Sequence, residues 1–396
     1  MGTILYDPFS LEAREDPYPV YRRLRAEAPV YHDAVNDLWV LTRFDDVQAA
    51  ARDWGTFSNA EGDDLDRTNE VFGTGETGNF IASDPPVHTR MRKMVGKLFT
   101  PKAIRAAYEP KIRAEVGRLL DRLEEDDDEV DLAGGFANAL PAMIVGEWLG
   151  FPRRDVEMVA GTAARFVARE VGNPGMPASA VPALEELRAY VRAAVGRCRK
   201  DPSGGVISYV LNGAEEEGFA REAADEMAAN MAFFFYVAGT ETTAALIGNA
   251  LLALAEHPDQ REVLLRDPDL MPQAVEELLR YESPLQHDMR VATRETEVRG
   301  STIPAGARVM LLLGSANRDE DRWERSEELD VTREPQRHLA FGEGIHHCLG
   351  APLARLEAPI ALSAFLRRWP GYEISGPATR LPGFSVRGLK ELPARL

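Results

Sequence analysis

The chain has 396 residues, with 46 Lys and Arg against 64 Asp and Glu, so its net charge is −18 with His neutral. That acidity disfavours a protein that tracks the phosphates of a nucleic acid, while a 44% apolar fraction is ample for a large buried core. Cys198 and Cys348 alone cannot build a disulfide framework, and no group of Cys and His has structural-zinc spacing, which points to a reducing cytosol and a cytoplasmic location.

The opening "MGTILYDPFS" lacks the basic, apolar and small-residue order of a secretory signal. "DPYPVYRRLRAEAPVY" gives a short amphipathic helix, and "LWVLTRFDDVQAAAR" passes from strand-like alternation into a helix. Residues 58–83 are Gly-rich and acidic, and a long irregular stretch of this kind reads as a lid or binding loop. Helical blocks follow near 87–98, 102–125, 136–150, 153–171 and 180–199. Between them the acidic run "EEDDDEVD" reads as a solvated turn, and "GNPGMPAS" at 172–179 as a hinge. Helices resume near 220–256, 259–266 and 272–282, "RVATRETEV" and "ARVMLLLGS" read as strands, and a last helix near 349–368 precedes short strands. The run from Met231 to His257 is apolar over about the length of a bilayer span. Glu241 near its middle would be costly in lipid, so the better reading is a helix through the centre of a domain in water, with no membrane. With no repeat, low-complexity tract or linker, the pattern predicts a single, mainly α domain over residues 1–396 with small β-sheets.

"FGEGIHHCLGAPLARLE", residues 341–357, sets Cys348 in a loop with Gly342, Gly344 and Gly350, directly before the last helix. Glycines suit a backbone pressed against a large planar group. The helix N-terminus can aim free N–H groups at the sulfur, which predicts a lowered thiol pKa and a stable thiolate. The competing readings are a buried structural cysteine and a zinc ligand. Zinc is the poorer of the two, because His346, His347 and Cys348 are consecutive and cannot close a tetrahedral cage without distant partners.

This stretch closely resembles the cysteine-loop signature of the cytochromes P-450, the haem-thiolate monooxygenases, at Phe341, Gly342, Gly344, His346, Cys348, Gly350, Ala354 and Arg355. The resemblance implies a cytochrome P-450 fold with heme b (iron protoporphyrin IX) between the long central helix and the cysteine-loop helix. It makes Cys348 the axial iron ligand, with Phe341 and Gly350 beside the cofactor; thiolate donation favours O–O cleavage. "AVEELLRYESP" is similar to the family's ExxR element, which makes Glu277 and Arg280, with Arg333, a structural network. His88, Arg92, Arg290 and His346 match propionate contacts. "AGTETT", residues 238–243, is similar to the distal oxygen-binding motif, with Ala238 and Gly239 against the cofactor and Glu241 and Thr242 as acid and alcohol. Delivering protons to the co-substrate O2 needs such a hydroxyl and carboxylate linked to solvent. Read without the family, the same Thr would bond its own helix backbone.

The resemblance spans essentially the whole chain and implies the soluble bacterial type, expected as a monomer and served by a separate ferredoxin and ferredoxin reductase. Arg90, Lys93, Lys97, Arg337 and Arg355 are candidate contacts for that negative partner. Phe234, Phe235, Ala238, Gln286, His287, Met289, Ser385 and Val386 are the expected walls for a small apolar or aromatic substrate. Oxidative coupling, dealkylation, peroxide-driven chemistry and a non-catalytic haem-thiolate sensor stay open at this point.

Overall fold

The structure is a computed structural model that describes residues 4–62, 78, 80–125, 129–173, 175–202 and 205–396. Most of the irregular stretch 58–83, the centre of the acidic run and residue 174 of the expected hinge lie outside the described residues.

Fourteen helices are described: α1 (Leu11–Glu15), α2 (Tyr18–Glu27), α3 (Phe44–Arg52), α4 (Val87–Val95), α5 (Pro101–Glu125), α6 (Ala139–Trp148), α7 (Arg153–Val167), α8 (Val181–Lys200), α9 (Val206–Glu216), α10 (Arg221–Glu256), α11 (Pro258–Arg266), α12 (Met271–Tyr281), α13 (Leu313–Ala316) and α14 (Ala351–Arg368). Twelve short strands accompany them: β1 (Val30–Asp33), β2 (Leu38–Leu41), β3 (Phe57–Ser58), β4 (Glu129–Asp131), β5 (Asp288–Ala292), β6 (Thr296–Val298), β7 (Ser301–Ile303), β8 (Arg308–Leu311), β9 (Glu373–Ile374), β10 (Thr379–Arg380), β11 (Leu389–Glu391) and β12 (Pro393–Arg395).

The 36-residue α10 is apolar on every side, and only burial on every side accommodates such a helix. It is long and apolar enough to cross a membrane by length and composition, but here it packs against α6, α8, α9 and α14. One continuous apolar cluster joins α5, α6, α8, α9, α10, α12 and α14. No helix is expected between 199 and 220 from the signals above, where α9 lies. Its Val206, Ile207, Val210, Leu211 and Ala214 nevertheless form a helical stripe that is buried; the Asn212-Gly213 pair, a turn signal, lies within the helix.

The largest sheet has the order β1-β2-β8-β5-β3. β2 and β8 run parallel with Val40 opposite Met310, and β5 lies antiparallel to β8 with Arg290 opposite Val309. Two smaller apolar clusters cover this sheet, one centred on α3 and one on the aromatic residues Tyr6, Phe9, Tyr18 and Tyr21. The consequence for the site is that β5 holds Arg290 in a fixed place, 2% exposed, beside the loop before α14.

Candidate active site

A cavity of about 330 Å³ lies between the middle of α10 and the loop that enters α14. From α10 come Phe234, Phe235, Ala238, Gly239, Glu241 and Thr242, and from the loop Phe341, Gly342, His346, Cys348 and Gly350. α10 is buried on either side of this point, but Val237, Ala238, Gly239, Glu241 and Thr242 line the cavity and are partly accessible. The Thr242 hydroxyl donates to the Ala238 carbonyl at 2.8 Å, the backbone bond that the family-free reading expects. A hydroxyl whose proton is committed in this way still accepts a hydrogen bond from the cavity side. Gly239 leaves the helix undistorted, and a Cβ there would meet Val145 at 3.2 Å, so the glycine also admits α6.

The loop places Cys348 by backbone bonds. Its N–H donates to the Phe341 carbonyl at 2.8 Å, and Gly342 and Gly344 turn the chain with φ of 64° and 71°. Gly344 has a further reason to be glycine: a Cβ would run into the Ala51 carbonyl of α3. Its close approach is therefore to protein backbone. The Cys348 side chain is open to the cavity. Burial raises its thiol pKa, and the N–H groups of Gly350 and Ala351 with the charges of Arg92 and Arg355 offset only part of that rise. The expected lowering is thus corrected: the helix end does act on the sulfur, but desolvation in an enclosed cavity is the larger effect. Cys198 is elsewhere, buried in α8 with its sulfur 2.9 Å from the Ser208 hydroxyl.

Four cation-forming side chains meet beside this loop. The His88 and His346 rings lie 4.3 Å apart. Arg92, on α4 with His88, lines the cavity and donates to the His347 carbonyl at 2.6 Å. Arg290 donates to the Met289 carbonyl and pairs with Asp288 at 2.8 Å. Burial followed by Arg290, His88 and Arg92 drives the His346 pKa down to about 2. Burial and Arg92, against a weaker opposing effect of Asp84, bring His88 to about 4. Both ring nitrogens of His346 are shielded and have no hydrogen-bond partner among the described residues. Crowded donors whose charged forms repel one another fit a group that brings its own negative charge and acceptors. A haem with two propionates is such a group, and its flat face suits the space between Cys348 and α10.

The scaffold beneath is the expected one in geometry. Arg280 is bidentate on Glu277 at 2.7 and 2.8 Å, and Arg333 donates to the same carboxylate at 3.1 Å. Of the expected substrate walls, Phe234, Phe235, Ala238, His287, Ser385 and Val386 line the cavity, whereas Gln286 and Met289 do not. Gln286 is turned toward Gly314 and donates to the Ser283 carbonyl at 2.6 Å. Met289 joins the aromatic cluster of the N-terminal segment. Gln286 and His287 precede β5, so alternation does not govern them; within the strand it does, since Asp288 lines the cavity and its neighbour Met289 faces away. Phe99, Val145 and Trp148 also line the cavity; as apolar residues on helices they carry no signal that separates a wall from a core.

A helical fold whose cavity carries the Cys348 thiol on its wall and crowded cationic side chains beside it fits the haem-thiolate class of protein, and comparison with known proteins agrees. The family model for cytochrome P-450 matches residues 183–371. A cytochrome P-450 130 of Mycobacterium tuberculosis is 37% identical over 386 residues, covering 95% of this chain and 94% of the relative. A vitamin D(3) 25-hydroxylase of Pseudonocardia autotrophica is 36% identical over 408 residues, covering 100% and 97%. Among solved structures, CYP109E1 of Bacillus megaterium in complex with testosterone superposes with a TM-score of 0.88 at 33% identity, covering 97% of this chain and 98% of that one. The chain belongs to the cytochrome P-450 family. It is accordingly an oxidoreductase of the monooxygenase type with haem and an axial cysteine thiolate as cofactor and O2 as co-substrate.

Proposed function

We propose that the chain is a single unit, 1–396, that inserts one oxygen atom from O2 into a small apolar or aromatic molecule, with Cys348 as the axial ligand and electrons supplied by a ferredoxin in the cytoplasm. The observation that carries this reading is the placement of Cys348 on the cavity wall opposite Glu241 and Thr242. Haem bound there would supply dioxygen activation. Arg92, Arg290, His88 and His346 would hold its propionates, a role that fits the missing counter-charge at His346. Thr242, fixed by its bond to Ala238, is positioned to accept and pass on a proton, and Glu241 is the ionisable neighbour that replenishes it. Phe166, Phe233, Phe234, Phe384 and Val386 give the cavity an apolar lining that excludes water and selects an apolar substrate.

For the electron donor, the ion pairs narrow the candidate surface. Arg90 stacks on Phe219 at 4.7 Å, Arg337 pairs with Glu343 at 2.7 Å, and Arg355 is held by Glu276. Lys93, in the last turn of α4, and Lys97, in the turn that follows it, are exposed and are the favoured contacts. One reconstitution tests the whole reading, with a ferredoxin, its reductase and a substrate found by low-spin to high-spin conversion. Cys348→Ser is expected to abolish turnover and the red-shifted Soret band of the reduced carbonyl complex, and Cys198→Ser to preserve both. Thr242→Ala should lower product formed per electron consumed, and Lys93→Glu with Lys97→Glu should raise the KM for ferredoxin about tenfold at low salt, as loss of two steering charges predicts. A Cys348→Ser protein that keeps the band would overturn the assignment.

A further inference from the structure

Glu276 and Glu277 are successive residues of α12, yet they hold different parts of the molecule. Glu277 binds Arg280 and Arg333. Glu276 reaches the other way, toward the cysteine loop and α14. Its carboxylate accepts two hydrogen bonds from Arg355, from Nε at 2.8 Å and Nη2 at 2.9 Å. It lies 3.1 Å from His338 Nε2. His338 Nδ1 accepts the Ala340 N–H at 3.2 Å, so the proton of the neutral ring is on Nε2 and is donated to Glu276. Burial pushes the Glu276 carboxyl up, but the hydrogen bonds from Arg355 and His338, together with the Arg355 charge, outweigh it and hold its pKa at about 2.

Both partners of Glu276 grip Phe341. The Arg355 guanidinium sits over the ring at 4.4 Å from its centroid, and the His338 ring is 5.9 Å from it. Phe341 in turn lines the cavity, and its carbonyl receives the Cys348 N–H. Arg355 is also one of the two cations that act on the Cys348 sulfur. Glu276 is therefore bonded to the two side chains that contact the Phe341 ring, one of which also acts on the sulfur.

We propose that Glu276 is a positioning residue for the thiolate site, which partly neutralises Arg355 and clamps Phe341, and so holds down the reduction potential of the haem. The inference rests on the reading of Cys348 as axial ligand. Electron addition is favoured by positive charge near the sulfur and disfavoured by negative charge. Removing the carboxylate and removing the guanidinium must then move the potential in opposite directions.

The test is spectroelectrochemical titration of the holoenzyme for Glu276→Gln, Arg355→Met and the double variant, with the Soret position of the reduced carbonyl complex recorded for each. Glu276→Gln keeps the side-chain shape and is expected to give a more positive potential, Arg355→Met a more negative one, and the double variant a value close to wild type. Glu276→Asp, which keeps the charge, should stay nearer to wild type than Glu276→Gln. Shifts of the same sign in both single variants, or no shift in either, would overturn the proposal, because a purely structural clamp has no reason to give opposite signs. If Glu276→Gln does not retain haem, Arg355→Met against the double variant measures the same charge effect, and equal potentials there overturn it. A wild-type protein without the red-shifted band would instead sink the Cys348 reading on which the inference stands.

Discussion

Arg280→Met is expected to destabilise the holoenzyme by about 3–5 kcal/mol, the usual cost of stranding one partner of a buried ion pair, and to yield protein largely devoid of haem. The guanidinium has five N–H donors, and five acceptors surround it. Two are the oxygens of Glu277, at 2.7 and 2.8 Å. The others are the carbonyls of Asn317 at 3.1 Å, Ser326 at 2.7 Å and Glu328 at 3.0 Å. Arg280 thereby ties α12 to the irregular segment after α13, which returns the chain to the cysteine loop. Methionine fills much of the volume but leaves Glu277, only 4% exposed, with Arg333 and the Asp330 N–H as its remaining partners. Lysine is no substitute, since its three donors cannot reproduce a planar fork that serves two carboxylate oxygens and three carbonyls. Urea unfolding followed by far-UV dichroism, together with haem content per chain, measures the effect. A midpoint within about 1 kcal/mol of wild type would show that the network is dispensable.

What was legible in the sequence follows from how each feature is encoded. α10 could be placed almost to the residue because an all-apolar helix has one physical solution, and the Cys348 loop because its glycines, histidines and cysteine are contiguous. The pairing of Glu277 with Arg280 is one helical turn and equally local. Gln286 and Met289 failed as substrate walls for different reasons: Gln286, before β5, is held by the Ser283 carbonyl, and Met289 is turned away from the cavity-facing Asp288 by a strand whose orientation is decided by pairing with β8, far away in sequence. The thiol pKa was misjudged for a related reason: a helix N-terminus is visible in the sequence, but the desolvation that outweighs it depends on the closed cavity. Glu276 was hidden by its neighbour, since one acidic residue of the pair already had a role, and the bond to Arg355 crosses 79 residues.

Glu357→Gln is expected to stabilise the holoenzyme at neutral and alkaline pH, because Glu357 is the reverse of Glu277. Both lie deep in the helical core, but Glu357 is 0% exposed and neither of its oxygens has a hydrogen-bond partner among the described residues. Burial raises its carboxyl pKa from 4.5 to about 8. Between those values the folded protein holds a proton that the unfolded chain has released, so its contribution to stability is full below pH 4.5 and is lost as pH rises through about 8. At about 1.4 kcal/mol per pH unit, the loss by pH 7 is on the order of 3 kcal/mol. Glutamine resembles the protonated acid and does not titrate, although its amide also needs partners and returns part of that gain, about 1 kcal/mol or more. Urea midpoints of the two proteins should therefore nearly coincide at pH 5 and separate steadily toward pH 8, with the variant the more stable. Comparing the two at each pH cancels the titrations they share. A difference that does not change with pH would mean that the carboxylate is charged in the folded state, held by a partner that offsets its burial.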